Sequence, residues 1–337
     1  MSNMNIINTD SDEATTRSYV VHLIAAFGAE LVGTFLICAA SYIVSSLSSA
    51  LYGTSMLLIL LSTAVAYAAM TLLFGRISGG QFNPAITIAA ALTGKTSIIE
   101  GICDIIAQII GAIASGALVT MIIPRSSKAT AMIWFSGTVN GFDKASISST
   151  QISHVGISFN IWFAFAVEVL ATLVIVAMAM RTMNEPDITP VAHAAGMGFA
   201  YAVGVAMTYP ITASALNPAR ATGIAIFLHK ENMAADPLKQ VWLFWVASIL
   251  AAAVVSIVII VFQMLQPHAS QDNIQNANDD FQSSETSDVL EAFPQAGMLR
   301  TAHLVNAPGE NEDGTGIGKG ADVNGNSSID QDKGSTI

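Results

Sequence analysis

The sequence predicts an all-α membrane protein, with six transmembrane helices and two half-length helices arranged as an inverted repeat. Of its 337 residues, 53% are hydrophobic and 11% are charged, and the mean hydropathy is +0.57. Soluble domains carry about 25% charged residues. Six apolar stretches are long enough to cross a bilayer, which takes about 20 helical residues. Two shorter stretches, beginning at residues 83 and 217, interrupt the pattern at matching places in the two halves.

The helical segments follow one another in the same order in each half. In chain order they cover residues 19–47, 54–74, the short 83–92, 98–123, 158–180, 191–209, the short 217–228 and 237–262. The short segments are about half the length that a bilayer requires, so each should dip into the membrane without crossing it. Residues 124–157 are polar, and we expect them to form a long exposed loop between the halves.

The two ends of the chain differ in composition from its middle. Residues 1–18 are polar and predicted to be a disordered leader, whereas residues 19–263 form the membrane domain. Residues 264–337 hold 12 of the 24 acidic residues and three of the 13 basic ones, so most of the net charge of -11 lies there. This tail has too few apolar residues to form a packed core, and we predict that it is disordered.

The composition also excludes several function classes. Basic patches interleaved with aromatic residues are missing from the sequence, which argues against nucleic-acid binding. Nucleophile–base pairs, phosphate-binding loops and metal-ligand spacings are missing too, so we predict no enzyme activity, no catalytic residue, no metal and no cofactor. The two cysteines, Cys38 and Cys103, lie in apolar segments, where they fit packing better than a disulfide.

Each short segment begins with an Asn-Pro-Ala triplet after small residues. Asn suits the N-cap of a helix and Pro its first turn, so each triplet predicts a helix start preceded by irregular backbone. Irregular backbone persists in a membrane only where it is packed in protein or lines a water-filled path. Paired interruptions in two halves indicate a permeation site. The triplet residues are Asn83, Pro84, Ala85, Asn217, Pro218 and Ala219.

Two glutamates support the repeat. Glu30 lies in the first span of one half and Glu168 in the first span of the other, 53 and 49 positions before their triplets. Each half has three spans, an odd number, so the second half must be inverted relative to the first. An inverted repeat brings both short helices to the middle of the bilayer from opposite faces.

These features resemble the aquaporin and glycerol-facilitator family over residues 20–263. The resemblance rests on the paired triplets, on Arg220 directly after the second, and on Glu-Leu-Val-Gly-Thr-Phe at 30–35. Residues 217–227 and 242–245 look more like the bacterial water-channel branch. Glycerol facilitators usually have Asp after the arginine, where this chain has Ala221.

The resemblance implies a passive, multi-pass water channel in the cell membrane. It also implies a homotetramer in which each subunit has its own pore, with cytoplasmic termini. The lysine and arginine distribution weakly favours the opposite orientation. The expected partners are water, small uncharged solutes and the lipid bilayer.

A channel also follows from the physics of two helix N-termini that meet in mid-bilayer. Each carries about half a positive charge, which opposes the passage of protons and other cations. The amides of Asn83 and Asn217 would donate to passing water, and Arg220, one turn into its helix, would donate to solutes and repel cations. Carbonyl groups of the irregular segments would accept hydrogen bonds from water molecules that pass in single file. These carbonyl groups belong to Gly79, Gly80, Gln81, Ala213 and Ala215.

Glu30 and Glu168 are ionisable groups inside the membrane, where such groups usually have a function. A proton relay would require each of them to face a path and a partner. The resemblance implies a structural role instead, in which each carboxylate accepts hydrogen bonds from backbone N–H groups of its irregular segment.

Alignment on the two asparagines places the selectivity filter at Thr63, Val205, Ser214 and Arg220. Strict water channels usually have a bulky aromatic residue and a histidine at the first two positions. The smaller residues here predict a wider pore that also leaks small neutral solutes. The aromatic residues Phe82, Phe199, Tyr67 and Tyr209 could intrude into the pore, although their spacing does not require it.

Three alternatives remain open at this point. The chain could be a facilitator for glycerol or similar uncharged solutes, an ion-coupled secondary transporter, or a non-conducting scaffold in which the acidic tail is the active part. Saturable, ion-dependent uptake would indicate the transporter, and loss of function without the tail would indicate the scaffold.

Overall fold

The computed structural model describes the backbone of residues 3–265 and the side chains of residues 16–265, and the described part is helical without strands. Its α-helices are α1 (Asn3–Leu51), α2 (Met56–Ser78), α3 (Pro84–Leu92), α4 (Ile98–Ile122), α5 (Ala131–Phe135), α6 (Ser149–Ile152), α7 (Ile161–Thr182), α8 (Pro190–Thr212), α9 (Pro218–Leu228) and α10 (Val241–Leu265). Three short 3₁₀ turns lie in the connections, at Asp143–Ala145, Ser153–Val155 and Pro237–Lys239.

Six of these helices are long and apolar enough to cross a membrane, which confirms the predicted fold class. They are α1, α2, α4, α7, α8 and α10, and the half-length helices α3 and α9 stand at the same place in each half. The predicted acidic tail of residues 264–337 lies outside the described residues from 266 onward.

The first helix is longer than the sequence predicts. Residues 3–18, predicted to be a disordered leader, are the N-terminal part of α1. Extending a helix costs far less than nucleating one, because each added residue gains a hydrogen bond for one pair of fixed dihedral angles. A polar segment that contains no Pro or Gly can therefore continue a stable transmembrane helix.

Small residues allow the helices to approach one another closely. A Cβ atom on Gly116 of α4 would lie 2.3 Å from the carbonyl oxygen of Gly223 in α9, and one on Gly223 would lie 2.4 Å from that of Ala112. A Cβ on Gly111 would lie 2.4 Å from the carbonyl oxygen of Leu31 in α1. These backbone contacts are typical of membrane bundles, where close van der Waals packing joins the helices.

The connection between the two halves is not simply an exposed loop, as the sequence predicts. Phe135, Thr138 and Asn140 in this segment are fully or almost fully buried. The Asn140 side chain donates to the carbonyl oxygens of Thr212 and Ala213, at 3.0 and 2.9 Å. The connection folds back because its apolar residues pack in the core and the Asn140 amide donates to carbonyl groups at the end of α8.

Candidate functional site

The asparagines that start the two half-helices bind each other's segments. The Asn83 Nδ2 donates to the carbonyl oxygen of Leu216 at 2.8 Å, and the Asn217 Nδ2 donates to that of Phe82 at 2.7 Å. The Oδ1 atoms act as helix caps, since that of Asn83 accepts from the N–H of Ala85 at 3.0 Å. The N-termini of α3 and α9 therefore meet head to head, with both asparagines fully buried.

Proline occupies the first position of each half-helix, and a capping asparagine precedes it. Pro84 and Pro218 need no N–H donor there, because the first N–H groups of a helix have no intrahelical partner. In α9, the Asn217 Oδ1 accepts from Ala219 and Arg220 at 3.0 and 3.2 Å. The triplet sequence therefore builds both helix starts in the same way.

The backbone before each helix repeats the same unusual conformation. In the first half φ is +83° at Gly79, +66° at Gly80 and +49° at Phe82. In the second half it is +57°, +53° and +53° at the equivalent positions, which are Ala213, Ser214 and Leu216. Residues other than glycine rarely adopt positive φ. Such backbone strain persists where the surrounding structure holds the backbone in place.

Several carbonyl groups of these segments already accept hydrogen bonds from the protein. Those of Gly79 and Ala213 lie 3.3 Å from His193 Nε2 and 2.9 Å from Asn140 Nδ2. That of Ala215 accepts from the Asn217 backbone N–H at 2.5 Å. A carbonyl oxygen has two lone pairs, so each keeps capacity for a second donor.

The two glutamates hold the irregular segments in equivalent ways. Glu30 accepts from the N–H groups of Gln81 and Phe82, at 2.9 and 2.6 Å. Glu168 accepts from those of Ala215 and Leu216, at 3.0 and 2.9 Å.

A hydroxyl group at the end of the preceding helix completes each carboxylate cluster. Ser78 donates to Glu30 at 2.6 Å, and Thr212 donates to Glu168. Gly80 belongs to the first cluster through its N–H, which lies 3.3 Å from the Ser78 hydroxyl. Each buried carboxylate thus acts as a local template for the backbone that precedes a triplet.

Arg220 is buried in the first turn of α9. Its Nη1 donates to Asn140 Oδ1 at 3.0 Å and to the carbonyl oxygen of Ser214 at 2.9 Å. Its guanidinium carbon lies 5.5 Å from the ring centre of Tyr42, whose hydroxyl donates to the Arg220 carbonyl oxygen. These neutral partners orient the guanidinium and leave its positive charge in place.

The four residues aligned with the filter line a single cavity. Its volume is about 10 Å³, and it includes Thr63 of α2, Val205 of α8, Ser214 and Arg220. A space of this size holds about one water molecule. The cavity combines an apolar side with hydroxyl and guanidinium donors, which suits a small polar molecule without charge.

Two tyrosines also line this cavity. The rings of Tyr67 and Tyr201 are stacked, with centroids 3.3 Å apart and an angle of 8° between their planes. Their hydroxyl groups accept from Asn217 Nδ2 and Asn83 Nδ2, at 3.0 and 2.9 Å. The sequence predicts that these amides donate to passing water, but in the structure tyrosine hydroxyls take that place.

Sequence reasoning missed Tyr201 and treated Tyr67 only as a possible intruder. A signal was available, because Tyr67 lies four residues after Thr63 and Tyr201 lies four residues before Val205. Residues four apart share one face of a helix. In an inverted repeat, the equivalent helices α2 and α8 run in opposite directions across the membrane. A step of four residues forward along α2 therefore corresponds to a step of four residues back along α8, and the two tyrosines occupy equivalent positions.

Comparison with known proteins adds independent observations. The family described as Major intrinsic protein matches residues 16–259. A protein named Aquaporin Z from Photorhabdus laumondii is 30% identical over 237 residues, covering 69% of this chain and 94% of the relative. Another Aquaporin Z, from Rhodopseudomonas palustris, is 28% identical over 245 residues, covering 71% and 92%.

A solved structure shares the architecture. It is titled as the aquaglyceroporin from Plasmodium falciparum and superposes with a TM-score of 0.53, covering 69% of this chain and 94% of that one. Its sequence identity is 16%, so it shows a common fold alone.

Proposed function

The chain belongs to the major intrinsic protein family, and from this we propose that it is a passive membrane channel for water that also passes small neutral solutes. The observation that carries the proposal is the meeting of α3 and α9, whose capping asparagines bind each other's segments near a small cavity that Ser214 and Arg220 line. The relatives named Aquaporin Z support water as the substrate.

The electrostatics of the site favour neutral solutes over cations. The positive ends of both half-helices face the same region, and Arg220 adds a full positive charge at the cavity. A cation that enters would lose hydration next to these charges, whereas a neutral molecule meets donors and carbonyl acceptors.

The filter assignment rests on the cavity that Thr63, Val205, Ser214 and Arg220 line together. At the two filter positions on α2 and α8 this cavity has the short side chains of Thr63 and Val205, where strict water channels usually have a bulky aromatic residue and a histidine. We therefore propose that glycerol and urea pass as well as water. Facilitation of such solutes is the second candidate function, and the same two side chains favour it.

The apolar outer surface fits an integral membrane protein. Trp162 and Phe199 are exposed to 77% and 71%, and leucine, isoleucine and valine side chains are exposed along all six long helices. From the family resemblance we further propose a homotetramer in the cell membrane, with cytoplasmic termini. Light scattering of the detergent-solubilised protein measures the subunit number, and proteolysis of intact cells reports the orientation.

Stopped-flow light scattering on proteoliposomes tests the function. The full chain is reconstituted into vesicles. Vesicle shrinkage in sucrose reports water efflux, and the re-swelling that follows shrinkage in glycerol or urea reports solute entry. Because two tyrosine rings lie at the cavity, a Tyr67→Val, Tyr201→Val variant is measured beside the wild type. We expect water flux above that of protein-free vesicles, without saturation and without dependence on an ion gradient.

Other results would favour the alternatives. Saturable uptake that follows a sodium or proton gradient would indicate a transporter. Water flux equal to that of protein-free vesicles, in both the wild type and the tyrosine variant, would overturn the channel. A chain ending at residue 265 should conduct as the full chain does, whereas a scaffold role would depend on the tail.

A further inference from the structure

The surface that carries the filter continues directly onto Tyr67 and Tyr201. Tyr67 lies one helical turn after Thr63 on α2, and Tyr201 lies one turn before Val205 on α8. Each pair shares a helix face, because residues four apart do so. The tyrosines are therefore the next residues that a molecule meets after the filter, on its way to the asparagines.

The two rings leave no space for water between them. Their centroids are 3.3 Å apart and their planes are nearly parallel, whereas carbon atoms in contact are separated by about 3.5–4.0 Å. Both residues are almost fully buried, at 1% and 0% exposure. Both also line the cavity of about 10 Å³ that the filter residues line.

The tyrosine hydroxyls also occupy the donors that water would use. A side-chain amide has two N–H hydrogens. On Asn83 one is directed to Leu216 and the other to Tyr201, and on Asn217 one is directed to Phe82 and the other to Tyr67. A water molecule can bind either amide only after a tyrosine hydroxyl has moved away.

Polar groups continue beyond the rings. Thr71 lies one turn after Tyr67 on the same helix and is 2% exposed. Its hydroxyl has no hydrogen-bond partner among the described residues, although buried hydroxyls normally have one. This position, close to Gly80, is where a path that passes the rings would emerge.

We propose that Tyr67 and Tyr201 form a gate at the centre of the conduction path. The stacked pair closes the path, and rotation of either ring frees an asparagine amide and lets water pass. The gate, rather than the filter residues, then limits flux through the channel. This inference rests on the proposed function, since a gate requires a path.

The test compares water permeability per reconstituted protein among matched variants. Tyr67→Val with Tyr201→Val removes both rings, and Tyr67→Phe with Tyr201→Phe keeps the rings but removes the hydroxyls. Tyr209→Phe is the control, because it removes a buried hydroxyl from α8 that bonds to Gly137 instead. Elution as a single peak in size-exclusion chromatography shows that each variant is folded.

We expect the double valine variant to conduct about tenfold more water than the wild type, because a closed state that dominates leaves an open minority of about 10% or less. The double phenylalanine variant should conduct less than the valine variant, and Tyr209→Phe should match the wild type. If the double valine variant does not fold, each single valine substitution breaks the stack and serves the same comparison.

The outcomes separate the gate from the channel. A conducting wild type with an equal or lower flux in the folded valine variant would overturn the gate and leave the channel intact. A phenylalanine variant that equals the valine variant would also overturn it, because the rings would then be no obstacle. Absence of flux in every variant would instead contradict the proposed function.

Discussion

The side-chain amide of Asn217 lies 2.7 Å from the carbonyl oxygen of Phe82, so the start of one half-helix is fastened to the segment before the other. Asn83 makes the reciprocal bond to Leu216. Each asparagine also caps its own helix through Oδ1. Asparagine thus caps each half-helix and also joins the two halves, so both structural roles depend on the same triplet.

Asn217→Ala should lower the free energy of unfolding more than loss of a cap alone. Removing a capping asparagine costs about 1 kcal/mol. The substitution also leaves the buried Phe82 carbonyl without its donor, which costs about 1–3 kcal/mol. Thermal unfolding in detergent measures the sum. Asn160→Ala is the control, since Asn160 caps α7 with two bonds at an exposed site. Equal shifts for the two variants would contradict the bridge.

Glu30→Gln should destabilise the first irregular segment. The carboxylate accepts four hydrogen bonds, and an amide would direct N–H hydrogens toward donors such as Gln108 or the Phe82 N–H. Leaving such groups unpaired costs about 1–3 kcal/mol in unfolding free energy. Glu100→Gln should change stability by less than about 1 kcal/mol, because it removes only a partly exposed pair with His22. An unchanged melting temperature for Glu30→Gln would argue against the templating role.

Gly223→Ala should destabilise the contact between α4 and α9. The new Cβ would lie 2.4 Å from the Ala112 carbonyl oxygen, so the helices would have to separate. Overpacking of this kind costs about 1–3 kcal/mol. Gly28→Ala is the matched control in α1, where nothing lies within 4 Å of the new Cβ. There alanine should stabilise the helix by about 0.5–1 kcal/mol. Thermal unfolding of both variants should therefore give shifts of opposite sign.

Thr63→Phe should reduce glycerol flux more than water flux. The larger ring would narrow the passage next to the cavity that Thr63 lines, and glycerol needs a wider passage than water. Stopped-flow measurements in the wild-type and the Tyr67→Val, Tyr201→Val backgrounds give the two fluxes. Thr150→Phe, at an exposed position in α6, should leave both unchanged. An equal loss of water and glycerol flux would place Thr63 outside the filter.

Arg220→Ala should increase cation and proton leakage. The substitution removes the positive charge at the cavity and frees the acceptors on Asn140 and Ser214. A change of about 1.4 kcal/mol in the barrier would raise leakage about tenfold. A pH-sensitive dye inside vesicles reports the proton leak in the wild-type and the Tyr67→Val, Tyr201→Val backgrounds. Arg181→Ala, which removes an exposed partner of Asp187, should have no effect. Leakage that stays at the wild-type level would show that Arg220 does not set the barrier.

The fold could be predicted almost completely from sequence because lipid restricts the choices. Apolar length alone fixed the six spans, and the helix starts at Pro84 and Pro218 follow from the local chemistry of Asn-Pro. In the structure α1 begins at Asn3 and so continues into the polar segment for which the sequence predicts a disordered leader. The prediction of an exposed loop between the halves was wrong, because burial of Phe135 and Asn140 depends on partners far away in sequence.

The interior of the site was less accessible to sequence reasoning. Alignment on the triplets brought Thr63, Val205, Ser214 and Arg220 forward as a set, and the structure gathers all four at one cavity. The contact between Tyr67 and Tyr201 could not be predicted in this way. Spacing says which face of a helix a residue occupies, but not which rotamer it adopts or what lies across the bundle.

The same two-fold relationship that exchanges Asn83 with Asn217 also exchanges Tyr67 with Tyr201. An obstacle on the symmetry axis looks alike from both sides of the bilayer. It should therefore resist inward and outward flow to the same extent, and the protein should not rectify. Swelling and shrinking of the same vesicles should then proceed at equal rates under equal and opposite osmotic gradients.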